Sequence, residues 1–133
     1  MGAVTYPDRR EYCPAFYTLL GKLPVPCDDP NEWAKFYGTP GSRRVAETQV
    51  GPLRISTIFL ALDHSFFDGP AMLFETMIFD GGDDSYQTRC ETWDEAEAMH
   101  KRAVETAEVL VQVAEASVGA FAKLFEKPTG GSE

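Results

Sequence analysis

The chain predicts an α+β fold: a four-stranded antiparallel meander sheet, a long C-terminal helix packed on one face and a short N-terminal helix at an edge. Two apolar runs, Leu53–Leu62 and Met72–Phe79, predict the inner strands. Half-polar runs at 44–50 and 85–91 flank them across turn-forming residues. An apolar stripe spaced three and four apart follows from Trp93 to Phe125.

From Met1 to Pro26 there is no clear period, and Phe16, Tyr17, Leu19 and Leu20 suggest a short element closed by Gly21. Lys22–Pro26 holds two prolines and is expected as an extended connector. A helix start follows: Asp29 as N-cap, Pro30 at the first helical position and Glu32 three residues past the cap. The helix runs over about Asn31–Tyr37, with Gly38 placed to end it. Trp33, Phe36 and Tyr37 share one side, which either packs on the sheet edge or offers an aromatic contact surface to a partner.

Arg44–Val50 reads as a strand, and Gly51-Pro52 turns the chain into the first inner run. In that run Leu53, Ile55, Thr57, Phe59 and Ala61 share one face, and from Ile58 onward both faces are apolar. Glu75 interrupts the second run. A carboxylate there must face water, find a partner or hold its proton. Asp80-Gly81-Gly82-Asp83-Asp84 is a hairpin loop by composition, and Ser85–Glu91 continues as an outer strand with one wet side.

Thr92-Trp93-Asp94-Glu95 is a capping box that opens the last helix. Run unbroken to Phe125, that helix is about 50 Å long at ~1.5 Å per residue, against about 26 Å for a strand of eight residues. Its second half therefore overhangs, kinks near Gly119 or packs on something else. Val109, Leu110, Val111 and Val113 widen the stripe there and predict a homodimer contact between helices. Residues 1–127 are expected as one domain and 128–133 as a disordered tail.

With 133 residues, 44% hydrophobic, the chain has enough apolar material for a core without staples. A net charge of -9 argues against binding nucleic acid or an anionic membrane, which need cationic surface. Cys13, Cys27 and Cys90 lack CxxC spacing and suit free thiols in a reducing compartment. Charge precedes any apolar run at the N-terminus, so no signal peptide is expected. No uncharged apolar run approaches the roughly 20 residues that span a bilayer.

His100 continues the apolar stripe of the long helix and so faces the sheet. It is either a buried, hydrogen-bonded imidazole or part of a reactive centre with Asp63, His64 and Glu75. In the second case His64, His100 and Glu75 would hold Zn²⁺ or Fe²⁺, or the group would share a proton as acid and base. No HExxH or HxH spacing supports that site. It rests on convergence in three dimensions. Asp80, Asp83 and Asp84 form either a solvated hairpin tip or a binding loop, without the spacing of an EF-hand.

Three stretches carry a resemblance: Ser56-Thr57-Ile58-Phe59-Leu60-Ala61-Leu62-Asp63-His64, Leu73-Phe74-Glu75-Thr76-Met77-Ile78-Phe79 and Thr92-Trp93-Asp94-Glu95-Ala96-Glu97-Ala98-Met99-His100. Together with Arg43-Arg44-Val45-Ala46 they resemble a group of short uncharacterised bacteriophage and prophage proteins, over about Trp33–His100. The group carries no established activity. The resemblance implies a phage origin and an accessory role in the host bacterial cytoplasm. The expected function is binding of a host protein, perceived as anti-defence or anti-CRISPR-like inhibition in which the acidic surface sits on a basic, nucleic-acid-binding groove. The alternatives are a small metal-dependent enzyme at the His and carboxylate site and a structural protein of the virion.

Overall fold

Alternation along the two inner runs decides which side chains meet, and the structure pairs those runs directly. The structure, a computed structural model, describes residues 16–63, 69–80 and 86–124. In chain order its elements are β1 (Tyr17–Leu20), β2 (Leu23–Pro26), α1 (Pro30–Gly38), β3 (Arg44–Val50), β4 (Leu53–Phe59), β5 (Phe74–Phe79), β6 (Tyr86–Cys90) and α2 (Trp93–Leu124). The main sheet has the order β3-β4-β5-β6, every pair antiparallel. This is the predicted meander, and α2 packs across all four strands.

Ile55, Thr57 and Phe59 of β4 and Phe74, Thr76 and Ile78 of β5 point to one face and are buried there. Ala96, Ala103 and Ala107 of α2 are fully buried against that face. Small residues let the helix backbone approach closely, so the large rings come from the sheet: Phe59 and Phe74 lie 5.3 Å apart. The opposite face is less covered than expected, with Ile58 and Met77 half-buried among the described residues.

The first inner run stops as a strand at Phe59, three residues before its predicted end. Ala61, fully buried, has φ 65°, a left-handed conformation unusual for a residue with a Cβ. Its carbonyl accepts two hydrogen bonds, from Tyr17 N (2.9 Å) and from Trp33 Nε1 (3.0 Å). Two donors on one carbonyl hold the kink that takes the chain out of the sheet. Leu62 then forms a bridge with Phe16.

Lys22–Pro26 is not a connector. Leu23–Pro26 is β2 and pairs with β1 across a two-residue turn in which Gly21 takes φ 63°. A two-stranded hairpin has two open edges, so Pro24 and Pro26 can stand where no ladder donor is required. In α1 the Asp29 carboxylate accepts from Asn31 N (2.9 Å) and Glu32 N (3.4 Å), as the N-cap reading expects. Gly38 is the last helical residue and Thr39 the C-cap, so the glycine ends the helix without a left-handed turn. The capping box of α2 is present: Glu95 N donates to Thr92 Oγ1 (3.2 Å), and Glu95 Oε1 accepts from Thr92 N (3.1 Å).

The 32 residues of α2 run without a break through Gly119 and span about 48 Å. Among the described residues, no helix is long and apolar enough to cross a membrane. The tail 128–133 lies outside the described residues.

Candidate functional site

His100 sits on the sheet-facing stripe of α2 because it lies four residues after Ala96 and three before Ala103, both fully buried. It is 7% exposed, and both ring nitrogens are engaged. Nδ1 lies 2.7 Å from Thr57 Oγ1 on β4, and Nε2 lies 2.8 Å from Thr48 Oγ1 on β3. Thr57 Oγ1 in turn lies 2.5 Å from Thr76 Oγ1 on β5, its register partner. A polar belt thus crosses three strands beneath the helix, inside an otherwise apolar layer.

Burial lowers the pKa of His100 below its ordinary value. The neutral ring has one donor and one acceptor nitrogen, and both tautomers satisfy the belt. With Nε2 protonated, hydroxyl donation runs from Thr76 to Thr57 to Nδ1. With Nδ1 protonated, it runs from His100 through Thr57 to Thr76, and Thr48 donates to Nε2. A metal ion on this ring would have to displace one of the hydroxyls.

Glu75 is buried, but on the other face. It precedes Thr76 in an extended strand, and successive side chains of a strand point to opposite sides. Its Oε2 accepts from Gln87 Nε2 and from Arg89 Nε, the latter at 2.9 Å. Both partners are on β6, and Arg89 is the register partner of Glu75. Of the three outcomes open to this carboxylate, the structure realises a partner: an ion pair across the strand pair.

The sheet therefore separates Glu75 from His100, and the convergence that the reactive-centre alternative requires does not occur between these two. Asp63 stands beyond the end of β4, past the kink at Ala61. His64, the remaining candidate, lies outside the described residues, as do Asp83 and Asp84. Among the described residues no three His, Cys, Asp or Glu side chains group so as to hold a metal ion. His100 and Glu75 thus do not fit a shared Zn²⁺ or Fe²⁺ site.

Trp33 is half-buried, and its indole N–H is spent on the Ala61 carbonyl. Its ring stacks on Tyr37 at 4.7 Å and meets Phe16 edge-on at 4.9 Å, while the Arg43 guanidinium lies 3.9 Å above Tyr37. The aromatic side of α1 is thus built into the fold and anchors the helix at the strand exit. Asp80 is exposed at the end of β5. It lines a crevice of about 340 Å³ with Pro52, Leu53, Leu110, Val111 and Glu115.

That crevice opens beneath the part of α2 that has left the sheet. Past Ala107 the sheet thins to the turn at 51–53 under Val111, and beyond it the stripe continues without a floor. Val109 (57%), Leu110 (49%), Val113 (57%), Val118 (68%) and Leu124 (77%) are exposed, and Val111, half-buried, stands over the turn at Gly51. Of the three outcomes expected for this half, an overhang is the one observed.

The partners of the two buried polar groups were not visible in the sequence. Thr48, Thr57 and Thr76 read as ordinary β-formers, and Gln87 and Arg89 as a wet strand face. The available signal was alternation: Arg89 and Gln87 share a β6 face, and every antiparallel register that turns this face to the Glu75 side of β5 places one of them near its carboxylate. Compared with protein-family models, curated proteins and solved structures, the chain matches none.

Proposed function

We propose that this is a non-enzymatic binding protein whose contact surface is the overhanging half of α2. One observation carries the reading: Val109, Leu110, Val113, Val118 and Leu124 lie exposed on a single helix segment whose preceding turns are fully packed. Contiguous exposed apolar surface of this kind marks interaction sites in soluble proteins. The two described polar centres support the same reading from the other side, since each is closed by its own hydrogen bonds.

The resemblance to phage proteins implies a host protein as the partner and an accessory role, with anti-defence inhibition as the form proposed. The net charge of -9 supports a basic partner surface, and Glu91, Asp94, Glu95 and Glu97 stand exposed where α2 begins. The test is capture from a bacterial host lysate with wild type and with the double variant Val113→Glu/Val118→Glu. A host protein held in stoichiometric amount by wild type and lost by the variant is the expected result. Equal capture by both removes the arm as the contact surface, and retention unaffected by salt removes the acidic contribution.

Self-association through the same segment is the second reading. It is favoured by the breadth of the apolar surface, which covers both the sheet-facing stripe at Leu110 and Val118 and the flank at Val109 and Val113. Light scattering at micromolar concentration decides it: a dimer mass that falls to monomer in the double variant supports it, and a monomer mass in wild type ends it.

A further inference from the structure

β6 is an edge strand: among the described residues no strand lies beyond it. An open edge presents backbone N–H and C=O groups that pair with nothing in the sheet. Beside it runs a groove of about 490 Å³, lined from β6 by Tyr86, Thr88, Arg89 and Cys90 and from α2 by Glu95, Ala98, Met99 and Arg102.

The spacing of those residues defines the groove. On β6 Tyr86, Thr88 and Cys90 are every second residue, the face turned toward α2. On α2 Glu95 is followed three and four residues later by Ala98 and Met99, and Arg102 lies four and three beyond these, one face of the helix. The lining covers about 13 Å of strand at ~3.3 Å per residue and about 10 Å of helix at ~1.5 Å per residue, the length of four or so extended residues. Space exists there because Ala98 is small, and it is exposed.

Two polar features of the groove are unspent. Thr88 Oγ1 is buried without a hydrogen-bond partner, although Thr76, its register partner, belongs to the belt under His100. Arg102 lines the groove, and among the described residues no carboxylate pairs with its guanidinium. Arg89, by contrast, is held by Glu75.

We propose that the β6 edge and the groove against α2 bind an extended peptide segment bearing a carboxylate. The peptide adds as a fifth strand to the sheet. Its backbone pairs with the free edge of β6, alternate side chains enter the groove over Ala98 and Met99, and its carboxylate meets Arg102. Main-chain pairing supplies affinity and the groove supplies selectivity, as in strand addition generally. Of the three charged side chains that line the groove, Arg89 is held by Glu75 and the Glu95 carboxylate accepts from the Glu91 and Thr92 amides, so Arg102 is the one left to select an acidic segment. The site is separate from the overhang of α2 and stands whether or not that overhang binds a protein.

The probe is a randomised peptide library selected on the immobilised full chain, followed by titration of the selected peptide and of its copy with the acidic residue changed to the amide. Selected peptides share an acidic position, and amide shifts concentrate at 86–90 and 95–102. Ala98→Trp, at an exposed position, fills the groove and abolishes binding. Arg102→Gln weakens the acidic peptide about tenfold and leaves the amide copy nearly unchanged. Should Ala98→Trp lower the melting temperature, Arg102→Gln alone carries the test. Selection of no peptide, shifts that map elsewhere, or equal affinity in Arg102→Gln overturns the proposal. The Val113→Glu/Val118→Glu chain binds the peptide as wild type does; loss of binding there assigns the peptide to the arm and overturns the groove.

Discussion

His100 Nδ1 and Thr57 Oγ1 lie 2.7 Å apart, a helix-to-strand hydrogen bond buried at the centre of the molecule. It fixes which turn of α2 lies over which residue of β4, something the alanines around it do not specify. The shift in His100 makes this bond sensitive to acid. Burial lowers its folded pKa, while the unfolded chain protonates near its ordinary value of 6.5. As pH falls below that value the unfolded state binds the proton first, so stability declines until the folded value is reached and then levels. Urea midpoints followed from about pH 8 to pH 5 will show this decline in wild type and a shallower one in His100→Asn. At neutral pH, Thr57→Val costs about 1–3 kcal/mol, because it leaves a ring nitrogen and the Thr76 hydroxyl short of a partner.

The Glu75–Arg89 pair predicts an asymmetry. Arg89 is partly exposed, so its contribution is screened, and Arg89→Ala is expected to cost about 1–2 kcal/mol. Glu75→Met removes the buried carboxylate with its desolvation cost and keeps the volume, so it is expected to match wild type or exceed it. Chemical denaturation of the two variants decides the sign. A Glu75→Met chain less stable than Arg89→Ala would show that the carboxylate is a net stabiliser.

How much of this was legible follows from the kind of signal each feature leaves. β4, β5 and α2 announce themselves by period, and Thr92 and Glu95 by their capping spacing. β2 was hidden because Pro24 and Pro26 argue against a ladder, an argument that fails in a hairpin with open edges. The partners of His100 and Glu75 depend on strand register, which sequence alone leaves open. His100 was read correctly as facing the sheet. The expectation that it meets Glu75 failed because one step along β5, from Thr76 to Glu75, reverses the side of the sheet.

Cys90 is expected to be inert. Burial, reinforced by the negative charge of Glu95, raises its thiol pKa to about 11. At pH 8 the thiolate is then scarce, and alkylation by iodoacetamide should run about a hundredfold or more slower than for an ordinary exposed thiol. Peptide mass spectra over a time course measure it; alkylation at the rate of a free cysteine would contradict the buried setting.

The two halves of α2 should answer differently to substitution. Ala107 is fully buried against the sheet, so Ala107→Leu overpacks it and costs about 1–3 kcal/mol. Val113 and Val118 have no floor, and Val113→Glu/Val118→Glu should change stability by no more than about 0.5 kcal/mol per site. Equal losses in the two variants would mean that the second half of the helix is packed after all.

The Ala61 carbonyl is where two pieces of the molecule are joined. Residues 16–38 form their own small ladder and helix, and they reach the rest of the molecule through Tyr17, Trp33 and the Phe16–Leu62 bridge around this carbonyl, with Phe36 against Phe59 and Lys22 over Trp93 beside it. Releasing that joint would free the hairpin and α1 as one unit and leave the β3–β6 ladder intact. Such a sub-global opening is cheaper than complete unfolding. The amides of Thr18 to Val25 then exchange with solvent in concert, long before those of β4, and the molecule has a built-in line along which it can come apart and close again.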